Sequence, residues 1–191
     1  MSFTDGNLAY RIEPETEIIG GKVVMMASPK LKHLFISGNI YAIFYDYLRG
    51  KSCVPIHDGG TVFLEDGEEY RPDMMVVCDP DKLGKNGVNG APDLVVEILS
   101  PSTARHDRGR KKDAYERNGV REYWIVDPSN RSIEQYILEN GRFALRDIYT
   151  KYTEEAFADL DDEEKAAVVT EFPCSLFDDL TIRLGDVFYR V

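Results

Sequence analysis

The 191-residue chain lacks several features that would decide its class at once. No apolar run approaches the roughly 18 residues that a membrane helix needs, so no membrane span is expected. Residues Met1 to Tyr10 show no basic segment followed by an apolar stretch; no secretory leader and a cytoplasmic location are expected. Cysteine is scarce: Cys53, Cys78 and Cys174 lie far apart and form no CxxC. Three reduced, mostly buried thiols are the expectation. A zinc site built on Cys53 and His57 would lack two further ligands. Glycines 84, 87 and 90 are followed by neither GKS nor GKT, nor by a helix, which removes a phosphate-binding loop. Bases are outnumbered, 23 against 34 acids, for a net charge of −11. That balance argues against a protein held to nucleic acid by bulk charge. With no repeat and no linker, one domain over residues 1–191 is expected, long enough for a sizeable core.

What is present is patterned. Residues 16–26 read as a hairpin turning at Gly20-Gly21. Ser28-Pro29 reads as a helix start, with Ser at the N-cap and Pro at the first helical position. The helix should run to about Leu48 and stop at Gly50, with Leu31, Leu34, Phe35, Ile40, Ile43, Phe44 and Tyr47 on an apolar face. Short β runs at 52–56 and 61–64 flank Asp58-Gly59-Gly60. Residues 73–78 and 93–99 are continuous apolar runs, as expected of central strands covered on both faces. Residues 79–91 read as a mobile surface turn. A second helix over 105–118 should end at Asn118-Gly119. Then come a strand at 122–127, a hairpin of 131–138 and 142–149 turning at Asn140-Gly141, a solvated acidic stretch at 154–164, and an apolar return from Phe172 to Val191. The strand–helix–strand unit at 93–127 predicts a parallel crossover. The fold class is α/β with a mixed sheet, flanked by helices and carrying added hairpins.

Two acids sit where strands should be apolar: Asp73 opens one central strand and Glu97 lies inside the next. An unpaired carboxylate there is costly, so each must be paired, hydrogen-bonded or bound to a metal. The bland alternative for Glu97 is a buried salt bridge to Lys111 or Arg105. Asp93 shares a face with Glu97 but lies about 13 Å away, at roughly 3.3 Å per residue, too far to share one ion. It reads as a strand-entry residue. Asp73, one strand over at about 4.8 Å spacing, can approach Glu97. Asp107, Lys111 and Tyr115 share a helical face, while Lys112 is turned away by about 100°. Seen alone, Asp107–Lys111 would be a surface ion pair. From Arg105 to Arg121 seven bases face three acids, a local excess that could follow a phosphate backbone or be a solvated helix face.

The runs Arg71-Pro72-Asp73, Pro92 to Thr103, Asp107-x-x-x-Lys111-x-x-x-Tyr115 and Gly119 to Pro128 together resemble the Uma-two type family of candidate restriction endonucleases, within the PD-(D/E)xK nuclease superfamily. The resemblance extends from about residue 16 to the C-terminus. It implies a restriction-endonuclease-like fold and a Mg²⁺-dependent endonuclease, with Mn²⁺ as an alternative ion and DNA as the partner. Asp73 matches the aspartate of the PD element and Glu97 the second acid. The Ile98 carbonyl matches a further metal ligand. Leu99 stands where the superfamily lysine belongs, and Lys111 matches the migrated lysine of this family. His33 also matches a position where the family has histidine, with a plain hydrogen-bonded histidine as the alternative. The resemblance implies catalytic roles for Asp73, Glu97 and Lys111 and metal ligation by Asp73, Glu97 and Ile98. Two carboxylates and a carbonyl suit magnesium, which offsets phosphoryl charge and lowers the pKa of water. A homodimer is expected, as two-strand cleavage and the commonness of two-fold dimers suggest. Two other readings stay open: a nuclease fold that binds without turnover, and a phosphoesterase for another substrate.

Overall fold

The computed structural model describes residues 15–26, 28–57 and 59–191. The leader reading on Met1 to Tyr10 and the Asp58 end of the turn lie outside them. The chain runs through β1 (Thr16–Ile19), β2 (Lys22–Met25), α1 (Leu31–Leu48), β3 (Val54–His57), β4 (Val62–Phe63), β5 (Glu69–Tyr70), β6 (Met74–Val77), β7 (Val88–Asn89) and β8 (Leu94–Ile98). Next comes a helix in three parts: α2 (Ala104–His106), a π-helical turn (Asp107–Lys111) and α3 (Lys112–Arg117). Then follow β9 (Glu122–Asp127), β10 (Ser132–Glu139), β11 (Arg142–Thr150), α4 (Glu154–Ala158), α5 (Asp162–Ala167), β12 (Glu171–Pro173), β13 (Thr181–Arg183) and α6 (Leu184–Val187).

Six strands form the central sheet in the order β11-β10-β9-β8-β6-β3. All pairs are antiparallel except β8–β9, the expected parallel crossover. A smaller sheet, β2-β1-β5-β4-β7, accompanies it. The apolar runs are covered on both faces, because successive side chains alternate. Met74, Val76, Leu94, Val96 and Ile98 pack with Ile36, Ile40, Phe44 and Leu48 of α1 and with Phe172, Ile182 and Phe188 of the returning C-terminal segment. Met75, Val77, Val95 and Leu99 face the other way, toward Ile19, Val62, Tyr70 and Tyr115. The three-layer arrangement therefore follows from strand pleat plus two amphipathic coverings.

Both hairpin signals hold. Gly20 and Gly21, at φ 60° and 69°, and Asn140 and Gly141, at φ 52° and 77°, close two-residue turns. Gly50 and Gly119, at φ 79° and 85°, follow the ends of α1 and α3, as left-handed stops do. Four expectations need correction. Lys30 stays extended at φ −81° and ψ 159°, so α1 starts at Leu31, two residues beyond the Pro29 start, and its first turn has no side-chain cap. The glycine-rich segment is more than a turn: Val88–Asn89 pairs in parallel with Val62–Phe63, and a Cβ on Gly87 would meet the Thr61 carbonyl at 2.2 Å. The second helix contains a π turn. Finally, Cys53 and Cys78 are joined as a disulfide, leaving Cys174 as the buried free thiol. The register explains the bond: Val54 pairs with Val77, so the residues flanking that pair face each other. Among the described residues no helix is long and apolar enough to cross a membrane.

A carboxylate fastens the C-terminal segment to the sheet. Glu122 is fully buried, and its Oε1 accepts from Trp124 Nε1 and Gln135 Nε2, both at 2.6 Å. Its Oε2 accepts from the Ser175 backbone N–H at 2.8 Å. Among the described residues no base pairs with it; hydrogen bonds alone hold it. Glu122→Ala would strand several buried donors and should lower stability by roughly 2–4 kcal/mol, read in urea by the fluorescence of Trp124, the single tryptophan. The Cys53–Cys78 link spans 25 residues, and its reduction should cost about 3 kcal/mol by loop-closure entropy. Alkylation of the unreduced, unfolded protein should modify one thiol, and modification of three would contradict the bond.

Candidate active site

The site forms where β6 and β8 meet the helix 104–117. Met74 pairs with Val96, and continuing that antiparallel register sets Asp73 opposite Glu97. Asp73 Oδ2 accepts from the Ile98 backbone N–H at 2.6 Å, which holds its carboxylate against β8. Ser37 of α1 donates to the Asp73 carbonyl at 3.0 Å. His33, on the first turn of the same helix, brings Nε2 to 3.1 Å from Asp73 Oδ1, while its Nδ1 is buried without a partner among the described residues. Burial opposes a charge on this imidazole, but the Asp73 carboxylate outweighs it and raises the pKa above the usual value.

Glu97 is 3% exposed. Lys111 Nζ lies 3.2 Å from its Oε1, and the Tyr115 hydroxyl donates to the same oxygen at 2.9 Å. Lys111 also lies 2.7 Å from Glu17 Oε1 and 3.8 Å from Asp107 Oδ1. All four ionic side chains are buried. The Asp107–Lys111 pair is thus no surface pair: both lie buried in the π turn, and the Tyr123 hydroxyl donates to the Asp107 carbonyl at 2.9 Å. Burial pushes the Glu97 carboxyl well up, with Lys111 opposing, and pushes Asp107 up to about 6. Burial also works against the Lys111 charge, yet Glu97, Glu17 and Asp107 together hold its pKa above the ordinary lysine value. Lys111 is a fixed cation here, not a proton acceptor.

The structure therefore brings Glu97 and Lys111 into direct contact, and sets Asp73 beside the Ile98 backbone. Arg105 is exposed and does not serve Glu97. Asp93 is a strand-entry residue: its Oδ2 accepts from the Cys78 N–H at 2.8 Å. Lys112 turns away and sits 3.7 Å over the Tyr136 ring. Four of the seven bases already have partners within the chain: Arg108 pairs with Glu134, Arg117 with Asp66 and Arg121 with Asp93 at the surface, and Lys111 is buried. The basic run does not form a continuous free track for phosphates. Glu17 was not singled out by the sequence patterns, although its signal was present: a carboxylate between Thr16 and Ile18 in a β run is the anomaly that marks Glu97.

The donors suit a hard cation. Asp73, Glu97 and the Ile98 carbonyl offer only oxygen, and the buried carboxylates Glu17, Glu97 and Asp107 face one lysine. Asp107 Oδ1 has no hydrogen-bond partner among the described residues. These residues also hold no preformed cage of three or more His, Cys, Asp or Glu side chains.

A mixed sheet with these elements around it defines a restriction-endonuclease-like protein. The chain belongs to the Uma2 family, described as "Putative restriction endonuclease", whose model matches residues 8–169. A crystal structure of "a putative nuclease belonging to DUF820" from Anabaena variabilis ATCC 29413 has the same fold, with a TM-score of 0.69 at 18% identity over 92% of this chain and 90% of that one. The uncharacterized protein slr1290 of Synechocystis sp. (strain ATCC 27184 / PCC 6803 / Kazusa) is 30% identical over 122 residues, 63% of this chain. The match spans 64% of the length of that relative.

Raised carboxyl pKa values have a stability consequence. A carboxyl whose folded pKa exceeds its unfolded value stabilises the fold below the unfolded pKa and loses that contribution as pH rises through the folded one. For Asp107 the window runs from its ordinary value of 3.8 to about 6. In the presence of chelator, the melting temperature should fall as pH is raised across that window, by roughly 5 °C, and Asp107→Asn should flatten the profile.

Proposed function

We propose that the protein is a Mg²⁺-dependent endonuclease that hydrolyses phosphodiester bonds of DNA, acting as a homodimer. The observation that carries this reading is the packing of Glu97 against the buried Lys111, with Asp73 held by the Ile98 N–H beside it. Asp73, Glu97 and the Ile98 carbonyl would hold the ion. When bound, it supplies charge neutralisation and a lowered pKa for water. The remaining work belongs to the chain. Tyr115 and Lys111 fix one oxygen of Glu97, and Ile98 fixes one oxygen of Asp73. Lys111 offers positive charge to the phosphoryl oxygens as negative charge develops on them. The net charge of −11 supports weak general affinity for DNA, so that contacts at the site and a second subunit contribute most to binding.

The protein with Mg²⁺ or Mn²⁺ should nick plasmid DNA, and chelator should stop it. Asp73→Ala, Glu97→Ala and Lys111→Met should each lower cleavage at least about 100-fold. Full activity of the Glu97 variant would sink the assignment. Metal binding by calorimetry without cleavage of any strand would favour a binding module, and turnover of small phosphodiesters alone would favour a phosphoesterase.

A further inference from the structure

We infer that Glu17 is the positioning residue that makes the displaced lysine usable, and that the β1–β2 hairpin is therefore part of the active site. Three observations on this structure carry the inference. First, the shortest contact of Lys111 is not with Glu97 but with Glu17, 2.7 Å against 3.2 Å. Second, the same oxygen, Glu17 Oε1, accepts the Arg71 backbone N–H at 2.8 Å, two residues before Asp73. One carboxylate oxygen thus ties the lysine to the segment that delivers the first acid. Third, Glu17 is 4% exposed on a short strand that pairs, among the described residues, with β2 and β5, and its carboxylate faces the Lys111 ammonium there.

The need for such a residue follows from where the lysine comes from. A lysine two positions after Glu97 on β8 would be aimed by the sheet itself. Leu99 occupies that place and packs in the core with Tyr115 and Val95. Lys111 instead reaches in from a helical turn on a long flexible stem, with several rotamers to lose. Glu97 alone holds it from one side. Glu17 holds it from the strand opposite and leaves a single position for Nζ. Glu17 acts through Lys111 and needs no contact with the nucleic acid.

The kinetic arm of the test rests on the nuclease reading above; the spectroscopic arm does not. Glu17→Gln keeps size and removes charge. It should lower kcat for metal-dependent DNA cleavage about 100-fold, as a misplaced group does, with KM and the calorimetric Mg²⁺ affinity changed less than about threefold. Because the effect runs through the lysine, Glu17→Gln with Lys111→Met should be no slower than Lys111→Met alone. In ¹⁵N spectra of lysine ammonium groups, the wild-type protein should show one slowly exchanging signal, absent in Lys111→Met and shifted or broadened in Glu17→Gln. Should Glu17→Gln not fold, Glu17→Asp carries the test, with a shifted ammonium signal and a reduced kcat. An unchanged ammonium signal overturns the inference, as does a double variant slower than Lys111→Met or a metal affinity lost with Glu17. If the wild-type protein cleaves nothing, the nuclease reading fails while the ammonium spectra still decide whether Glu17 holds Lys111.

Discussion

Everything around the site depends on one buried ammonium. Lys111 is enclosed by Glu17, Glu97 and Asp107, each nearly inaccessible to water. Burying several carboxylates in the middle of a domain is untenable without a cation among them. The lysine makes their burial tolerable, and in turn they keep it charged. It also joins three separate pieces of chain: a hairpin strand, a central strand and a helical turn. These pieces belong to two sheets and a helix, so the site exists only where all three pack together.

The lysine does not neutralise the cluster. Three carboxyl groups are buried against one base, and those of Glu97 and Asp107 respond with raised pKa values. Asp73 stands apart from this balance, held by the Ile98 N–H and paired with His33. The two acids are thus prepared differently. Glu97 is clamped on one oxygen by a tyrosine and a lysine, while Asp73 is anchored through the backbone and faces an imidazole. A cation arriving between them would meet oxygens already oriented by the protein.

Much of the architecture could be read from the sequence because it depends on short-range rules. Strands β6 and β8 announced themselves as unbroken apolar runs, the two tight turns as Gly-Gly and Asn-Gly, and Glu97 as a charge in an apolar strand. What escaped depends on long-range register or on departures from ideal geometry. The Cys53–Cys78 bond is invisible until β3 and β6 are paired. Asp107 and Lys111 looked like a surface pair because a charged pair on a helix usually faces solvent, whereas here that face turns inward onto Glu17 and Glu97. Glu17 carried the same mark as Glu97 but sat in a hairpin too short to suggest burial. The basic run looked like a phosphate track in one dimension; in three, most of its charges already have partners.

The π turn at 107–111 sets a condition on chain length. Its i→i+5 pattern holds one more residue per turn than an α-helix would. Removing a residue there would let the turn close as an α-helix and would change which side chains of 107–111 turn inward. The joint hold of Lys111 and Tyr115 on Glu97 Oε1, and the approach of Asp107 to Lys111, would then have to be rebuilt on a different turn. Relatives that share this chemistry should therefore preserve the residue count between the second acid and the tyrosine more strictly than they preserve the side chains in between. An alignment gap at that place would mark a chain that has kept the fold and rebuilt its centre.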